Sequence, residues 1–365
     1  MLRPPSPHLV LGLGLLALVA CGESDTPTQP PTESAPVAAP AATLASNSWT
    51  LRAPYPTRPG TNGFGALQLS AAVVNSAGQP IVYTIGAIDD EDCCEVPVGR
   101  YNVATDAWSF APHQEPIGVL VYNTNGVANI GGKLYFSGGH DKSGSVVQIT
   151  ARTSVYDPVA NTLTQKADMP KGTADGVSAV IGGLLYVLPG ICLIDNTEGP
   201  ACDTEPFRRL FRYNPATDHW VSKKLAPHYH RNGAGGAIDG KFYVAGGEEL
   251  FTLNPIAALD VYDPATESWK TLAPLPIGGQ AHGAVMQGKL FVVVQPRDAS
   301  GHVTGIHAYA YNPATNRWNA KAAPQFTHEA VVLARLADGP HLVAVGGVHD
   351  ANGDVVGNDT ELYTP

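Results

Sequence analysis

Charged side chains are scarce. Asp, Glu, Lys and Arg make up 15% of the chain, and that low content beside 39 Gly and 31 Pro suits short strands and turns rather than helices. Basic charge is scarcer still. Lys and Arg number 22 against 32 Asp and Glu, and the net charge of −10 comes with no Lys/Arg cluster or basic stripe, which argues against a nucleic-acid ligand. Local catalytic signatures are missing too: no Ser-His-Asp spacing, phosphate loop or zinc signature occurs. The apolar run Leu9–Ala20 has twelve residues, too few to cross a bilayer.

What is present is a repeat. Five stretches read alike: YNVATDAW from Tyr101, YDPVANTL from Tyr156, YNPATDHW from Tyr213, YDPATESW from Tyr262 and YNPATNRW from Tyr311. Recurrence every 49 to 57 residues is the period of a modular β-sheet array. In each copy the Tyr ends a strand and Asn or Asp opens a tight turn by hydrogen-bonding the backbone; in four of the five, Pro presets φ at the next position, where the first copy has Val103. Trp follows Tyr by seven residues in four copies (Trp108, Trp220, Trp269, Trp318), while the second copy has Leu163. A Trp so placed is expected to wedge between neighbouring sheets, with its face buried and its N–H satisfied at the edge.

Upstream of each Tyr lies a β-rich apolar run closed by small residues. These runs are IVYTIGA (81–87), GGKLYFSGG (131–139), GGLLYVLPG (182–190), GKFYVAGG (240–247), GKLFVVVQ (288–295) and HLVAVGG (341–347), six in all. Three end in a Gly pair, which permits positive φ and close backbone approach where a strand leaves the crowded middle of a sheet.

Apolar run, Gly pair, Tyr and Trp at these spacings resemble the kelch repeat, over residues 48–365. The pattern departs at Leu-Pro-Gly in the third run and at Val294-Gln295 in the fifth. The resemblance implies an all-β, six-bladed kelch-type β-propeller. Tyr363 stands where a third strand belongs, without a following Trp, and Trp49 has no strands before it. The N-terminal segment is therefore expected to supply the outer strand of the C-terminal blade, closing the ring and removing a free edge.

Residues 1–20 read as a signal peptide, with Arg3 ahead of the apolar run. Leu18-Val19-Ala20-Cys21 resembles a bacterial lipobox, which implies cleavage before Cys21 and lipid attachment there. Residues 21–47, rich in Pro, Ala, Thr and Ser, read as a tether without a core, followed by the propeller at 48–365. Gly22 resembles an outer-membrane sorting signal, so an exported, lipid-anchored protein facing the periplasm or the exterior is expected. Four cysteines remain. Cys192 and Cys202 flank the polar loop LIDNTEGPA and are expected to form a disulfide across its base, while Cys93 and Cys94 either form a vicinal disulfide or exchange partners with that pair.

In a propeller blade, the loop entering the first strand and the loop leaving the second share one face, around the channel mouth. Entering loops bring Asp175, His228, His230, Arg231, His282 and His328. Leaving loops bring Asp90 with its acidic neighbours, His140, Asp141, Glu248, Glu249, Arg297, Asp298, His349 and Asp350. Concentrating His and acid on one rim points to a binding site. The plainer alternative is that His282, His328 and the Arg231 neighbourhood serve packing and hydrogen bonding at the start of an inner strand. Asp350, Asn352 and Asp354 alternate as calcium ligands do, but the Gly at 353 and the missing twelfth-position Glu favour a plain hairpin.

The kelch resemblance implies a recognition module that binds a protein or glycan through this loop face; with the lipid anchor it is expected to be a membrane-anchored monomer, and no cofactor is expected. The alternative is a carbohydrate mutarotase, because some exported bacterial six-bladed kelch proteins that are similar to this chain are sialic-acid mutarotases. In that case Arg231 would hold a substrate carboxylate, and Glu248 or His282 would move a proton. The longer propeller, extra domains and Cys-Tyr cross-link of galactose oxidase-type enzymes have no clear counterpart. The anchor is testable alone: globomycin should block processing and Cys21→Ser should shift the protein to soluble secretion. Failure of both removes the lipid.

Overall fold

The six apolar runs are the second strands of six four-stranded antiparallel sheets, in a computed structural model that describes residues 46–56, 69–76, 78–86, 98–111, 121–122, 124–141, 148–191, 208–250, 252–298, 300–347 and 357–365. The signal segment, Cys21, most of the tether, Asp90, Cys93, Cys94, Cys192, Cys202, His349, Asp350, Asn352 and Asp354 lie outside the described residues. Leu44–Pro365 forms one compact unit.

Blade 1 is built from Ser70–Ser76, Gln79–Ile85, Gly99–Asn102 and Ala107–Phe110, in that order from the inside out. Blade 2 uses Val127–Ile130, Lys133–Ser137, Thr153–Asp157 and Thr162–Lys166. Blade 3 uses Val177–Ile181, Leu184–Leu188, Arg209–Asn214 and His219–Leu225, and blade 4 uses Ala234–Ile238, Lys241–Ala245, Leu259–Asp263 and Ser268–Leu272. Blade 5 follows with Gln280–Met286, Lys289–Gln295, His307–Asn312 and Arg317–Lys321. Blade 6 takes Ala330–Leu336, Gly339–Val345 and Thr360–Thr364 from the C-terminal end and Ser48–Leu51 as its outer strand. A small sheet of Val121–Tyr122, His140–Asp141 and Gln148–Ile149 sits in the loops of blades 1 and 2.

Each inner strand lies against the inner strands of both neighbours, blade 6 against blade 1 included, so the ring is closed. Burial explains the sequence pattern. Second strands are covered on both faces by the adjoining blades and are buried almost end to end, which is why they read as unbroken apolar runs. Outer strands alternate between half-buried and exposed, as a strand with one wet face does. The core is accordingly six wedges, one at each seam between blades; the seam between blades 4 and 5, for example, interleaves Leu259 and Val261 with Leu290, Val292 and Tyr311.

The repeat motif fastens these seams from outside. Asn102, Asp157, Asn214, Asp263 and Asn312 each accept backbone N–H groups two residues on, as the turn reading expects. Five residues past the Tyr, an Asp or Asn adopts left-handed φ near 50° (Asp106, Asn161, Asp218, Asn316) and accepts the Tyr hydroxyl at 2.6–2.7 Å. In blades 1, 3 and 5 the same Oδ1 also accepts the N–H of one residue in the preceding blade: Ala53, Ala167 and Ala273, respectively. The Trp of the motif then donates its Nε1–H to the carbonyl of that same alanine, at 2.9 Å each time. Each clamp thus holds both polar groups of one neighbouring residue.

Closure of the ring repeats this clamp across the termini. Trp49 pairs with Tyr363 in register, and Asn47, at φ 52°, accepts the Tyr363 hydroxyl at 2.9 Å and the Ala322 N–H at 3.2 Å. Trp49 Nε1 donates to Ala322 O at 2.8 Å. The expected closing strand is therefore present with its full set of bonds.

Two seams depart. Blade 2 has Leu163, which packs against the blade 1–2 seam but has no N–H to give. Blade 4 has Glu267 at the left-handed position: it pairs with Lys223 instead, the Tyr262 hydroxyl is left buried without a partner among the described residues, and Trp269 reaches Lys224 O at 3.3 Å. The third and fifth runs, which lack the Gly pair, keep its contacts by other means. A Cβ on Gly190 would collide with Asp175 O, and Gln295 donates its amide to His328 O at 2.7 Å across the blade 5–6 seam.

Replacing Trp49 by Ala removes a wedge and the closing bond and should destabilise the ring by about 3–5 kcal/mol. Glu267→Asn suits left-handed φ and gives Tyr262 an acceptor, so it should stabilise by about 1 kcal/mol. Urea unfolding checks both; a Glu267→Asn variant no more stable than its parent would contradict the clamp.

Candidate functional site

Inner strands converge on a central cavity of about 160 Å³ whose walls come from all six blades. Each blade contributes a polar side chain at or just before its first strand: Ser70, Thr124, Asp175, Asn232, His282 and Glu329. Small residues let the strands come this close; a Cβ on Gly283 would collide with Phe291 O and one on Gly235 with Val177. Ser70 and Thr124 hydroxyls are bonded to each other at 2.9 Å.

Around the mouth runs a chain of charge and amide contacts. Arg231 Nε donates to Asp175 Oδ2 at 3.1 Å, and His140 Nε2 lies 3.8 Å from Asp175 Oδ1. Glu248 is tied to Arg231 by a backbone bridge, its N–H donating to Arg231 O at 2.9 Å. The Glu248 carboxylate accepts Gln280 Nε2 at 3.3 Å, and Gln280 Oε1 accepts Arg297 Nη2 at 3.0 Å. Arg297 Nη1 donates to Gly301 O at 2.7 Å, while its Nε is buried without a hydrogen-bond partner among the described residues. Beneath this chain, Ala174, Ile191 and Leu250 form a buried apolar support with Ile149 and Tyr229 against it.

Desolvation dominates the titrating groups here. Burial raises the Glu248 carboxyl, against the Gln280 amide and the Arg231 and Arg297 charges. It pushes Glu329 up to about 7; Arg297 opposes this and Asp175 adds to it. It pulls His282 down to about 4, with the charges of His328 and Arg297 acting the same way, so the imidazole is neutral at pH 7. Neither Glu329 nor His282 has a side-chain hydrogen bond to any described residue.

The other histidines named from the sequence are committed elsewhere. His230 is buried with Nδ1 2.8 Å from Gly246 O and Nε2 3.2 Å from Asp260, and His328 repeats this with Gly346 O at 3.0 Å and Glu361 at 2.8 Å. Both bind a third-strand acid within their own blade, and neither lines the cavity. His228 is half-exposed and also bonds Asp260, at 3.0 Å. Burial alone would raise Asp260 and Glu361, but hydrogen bonds and charge from His230 and His328 hold both below the usual carboxylate range. Glu249 is exposed and accepts Thr252 Oγ1 at 2.6 Å, which orders its own loop. Asp141 lies in the strand His140–Asp141. Asp298 caps the next loop by accepting the N–H groups of Ser300 and His302.

The cavity therefore gathers Asp175 and His282, with Arg231 and Glu248 at its edge; it adds Asn232 and Glu329, and the rim adds Gln280, none of which sequence reasoning found. A signal existed for the histidines. An acid two residues before the motif Tyr occurs only in blades 4 and 6, as Asp260 and Glu361, the blades whose entering histidine is buried.

Residues 231–276 match the Kelch motif family model, spanning the blade that carries Arg231, Glu248 and the Tyr262–Trp269 pair. This is a kelch-type six-bladed β-propeller. The kelch propeller is 26% identical over 232 residues to kelch-like protein terF of Aspergillus terreus, an alignment over 60% of this chain and 48% of that protein. It is 24% identical over 220 residues to human kelch-like protein 23, 60% of this chain and 35% of that one, and 28% identical over 158 residues to alpha-scruin of Limulus polyphemus, 42% and 16%. The chain thus spans about half or less of the length of these curated relatives. The solved structure of YjhT superposes with a TM-score of 0.60 at 18% identity, covering 84% of this chain and 96% of that one, which shows the shared fold.

A pH dependence follows for this kelch mouth. Glu329 binds its proton more tightly folded than unfolded, so its folded state loses stability as pH rises from about 4.5 towards 7. Glu329→Gln should then be neutral at acid pH and stabilising by on the order of 2–3 kcal/mol above neutrality. His282 works in the opposite direction, costing stability as pH falls from 6.5 towards 4. Denaturant melts of the wild type and Glu329→Gln across pH 4–8 check this; a pH-independent Glu329→Gln effect would contradict it.

Proposed function

We propose that the protein is a recognition module that captures a protein or glycan through the loop face around its central channel. The observation that carries this is the convergence of Asp175, Arg231, Glu248, Gln280 and Arg297, from blades 3, 4 and 5, into one bonded chain at the mouth. Such a chain holds donors and acceptors in fixed directions before a ligand arrives, which lowers the entropy cost of binding. Loops on a rigid ring are also where propellers of many kinds place recognition residues. The lipobox at Cys21 and the Pro/Ala/Thr/Ser tether support display of this face away from a membrane surface, with the protein a monomer on its anchor.

A second reading, a sugar mutarotase, draws support from two carboxyls raised by burial, Glu248 and Glu329, beside the cavity. Glu329, pushed up to about 7, is suited to both giving and taking a proton, as ring opening and closing require. Arg231 would orient a substrate carboxylate in that case.

A glycan and secretome pull-down with the exported chain is the discriminating experiment. Arg231→Ala and Glu248→Ala should each reduce partner retention about tenfold or more, with cooperative melting preserved. The wild type should leave the anomeric equilibration rate of sialic acid unchanged by NMR. Rapid anomerisation that is lost on Glu248→Ala would overturn recognition in favour of catalysis.

A further inference from the structure

The charged groups at the channel mouth are engaged through one ion pair and a set of amide and backbone contacts. Arg231 is held by Asp175, Glu248 by the Gln280 amide, and Arg297 by Gln280 and Gly301 O. A charged ligand of either sign would enter a rim where Asp175 and Glu248 already stand beside Arg231 and Arg297, and burying its charge there costs several kcal/mol unless it displaces one of these contacts.

Unused bonding capacity in the cavity is of another kind. Glu329, from blade 6, and His282, from blade 5, have no side-chain hydrogen-bond partners among the described residues, and both line the cavity. A neutral imidazole offers one donor and one acceptor, and a carboxyl offers acceptors with a shared proton. Ser70, Thr124, Ser178 and Asn232 add hydroxyl and amide groups around them. No aromatic ring occurs among the cavity's described walls, so the ligand is gripped by hydrogen bonds at its edges rather than by stacking on a face. The group that answers such a lining is the hydroxyl, which donates and accepts at once, carried several times on one small uncharged body.

We propose that the cavity binds an uncharged, polyhydroxylated ligand, a neutral monosaccharide or the neutral end residue of a glycan, with His282 and Glu329 as its hydrogen-bonding partners. This rests on the recognition reading of the same face and names what the channel below the rim selects. Selectivity is against charge: a uronic acid adds an anion beside Glu248 and Glu329, and an amino sugar adds a cation beside Arg231 and Arg297.

Saturation-transfer NMR and calorimetry on the soluble Cys21→Ser protein test this with D-glucose, D-galactose and D-mannose as neutral probes. D-glucuronate and D-glucosamine are the charged ones. At least one neutral sugar should bind at neutral pH more tightly than either charged sugar. His282→Ala should weaken it about tenfold or more, and Glu329→Gln should weaken it less, because the amide still bonds hydroxyls. Thermal melts confirm that each variant folds, and His282→Asn, close in size, repeats the measurement if His282→Ala does not. Tighter binding of a charged sugar, binding indifferent to both positions, or no binding of any neutral sugar overturns the inference. In that last case, pull-down capture sensitive to Arg231→Ala leaves the recognition reading standing, and loss of capture as well removes both.

Discussion

Everything in this ring depends on one interaction: the clamp that a Tyr, a left-handed Asx and a Trp close on a single residue of the preceding blade. A four-stranded sheet this small cannot bury both faces alone, so each blade needs its neighbours before it is stable. Apolar seams supply the attraction but not the direction. The clamp supplies direction, because an N–H to Asx and a carbonyl to Trp fix the preceding blade in position and angle together. Where it is complete, as at Ala53, Ala167, Ala273 and Ala322, the seam is defined at its outer edge.

That constraint propagates inward. Fixed outer edges and glycine-lined inner strands bring six strand entries around one axis, so residues as distant in sequence as Asp175 and Glu329 share a cavity and sense each other's charge. Blades 4 and 6 reinforce their entries with buried His–acid pairs, His230 with Asp260 and His328 with Glu361. Those pairs anchor the loops from which Arg231 and Glu329 project. This face is therefore held by polar bonds in its foundations, while Glu329 and His282 inside the channel have no side-chain hydrogen bonds among the described residues.

The repeat makes the architecture legible from the chain alone. Tyr-to-Trp spacing reports the third and fourth strands, the apolar runs report the second, and the orphan Trp49 reports closure, because each is a local consequence of a local packing role. The rim was legible only in part. Arg231 and Glu248 stand in the blade whose residues match the kelch motif, and loop topology alone placed them. Glu329, Gln280 and Asn232 gave no local sign, since their significance arises from which blade lies beside them and from the desolvation that closure imposes. His230 and His328 read as rim residues because their loops are polar; only the acid two residues before Tyr262 and Tyr363 marks them as internal anchors.

The central claim is that the ring exists to present one face, the channel mouth, to a ligand. Amide hydrogen exchange of the full chain, free and with its captured partner or sugar, tests that claim most directly. Protection gained at the strand entries 231–235, 280–283 and 329–332, with the Pro-Ala-Thr turns on the opposite face unchanged, is the predicted result. Protection confined to those turns or to the outer strands would contradict it.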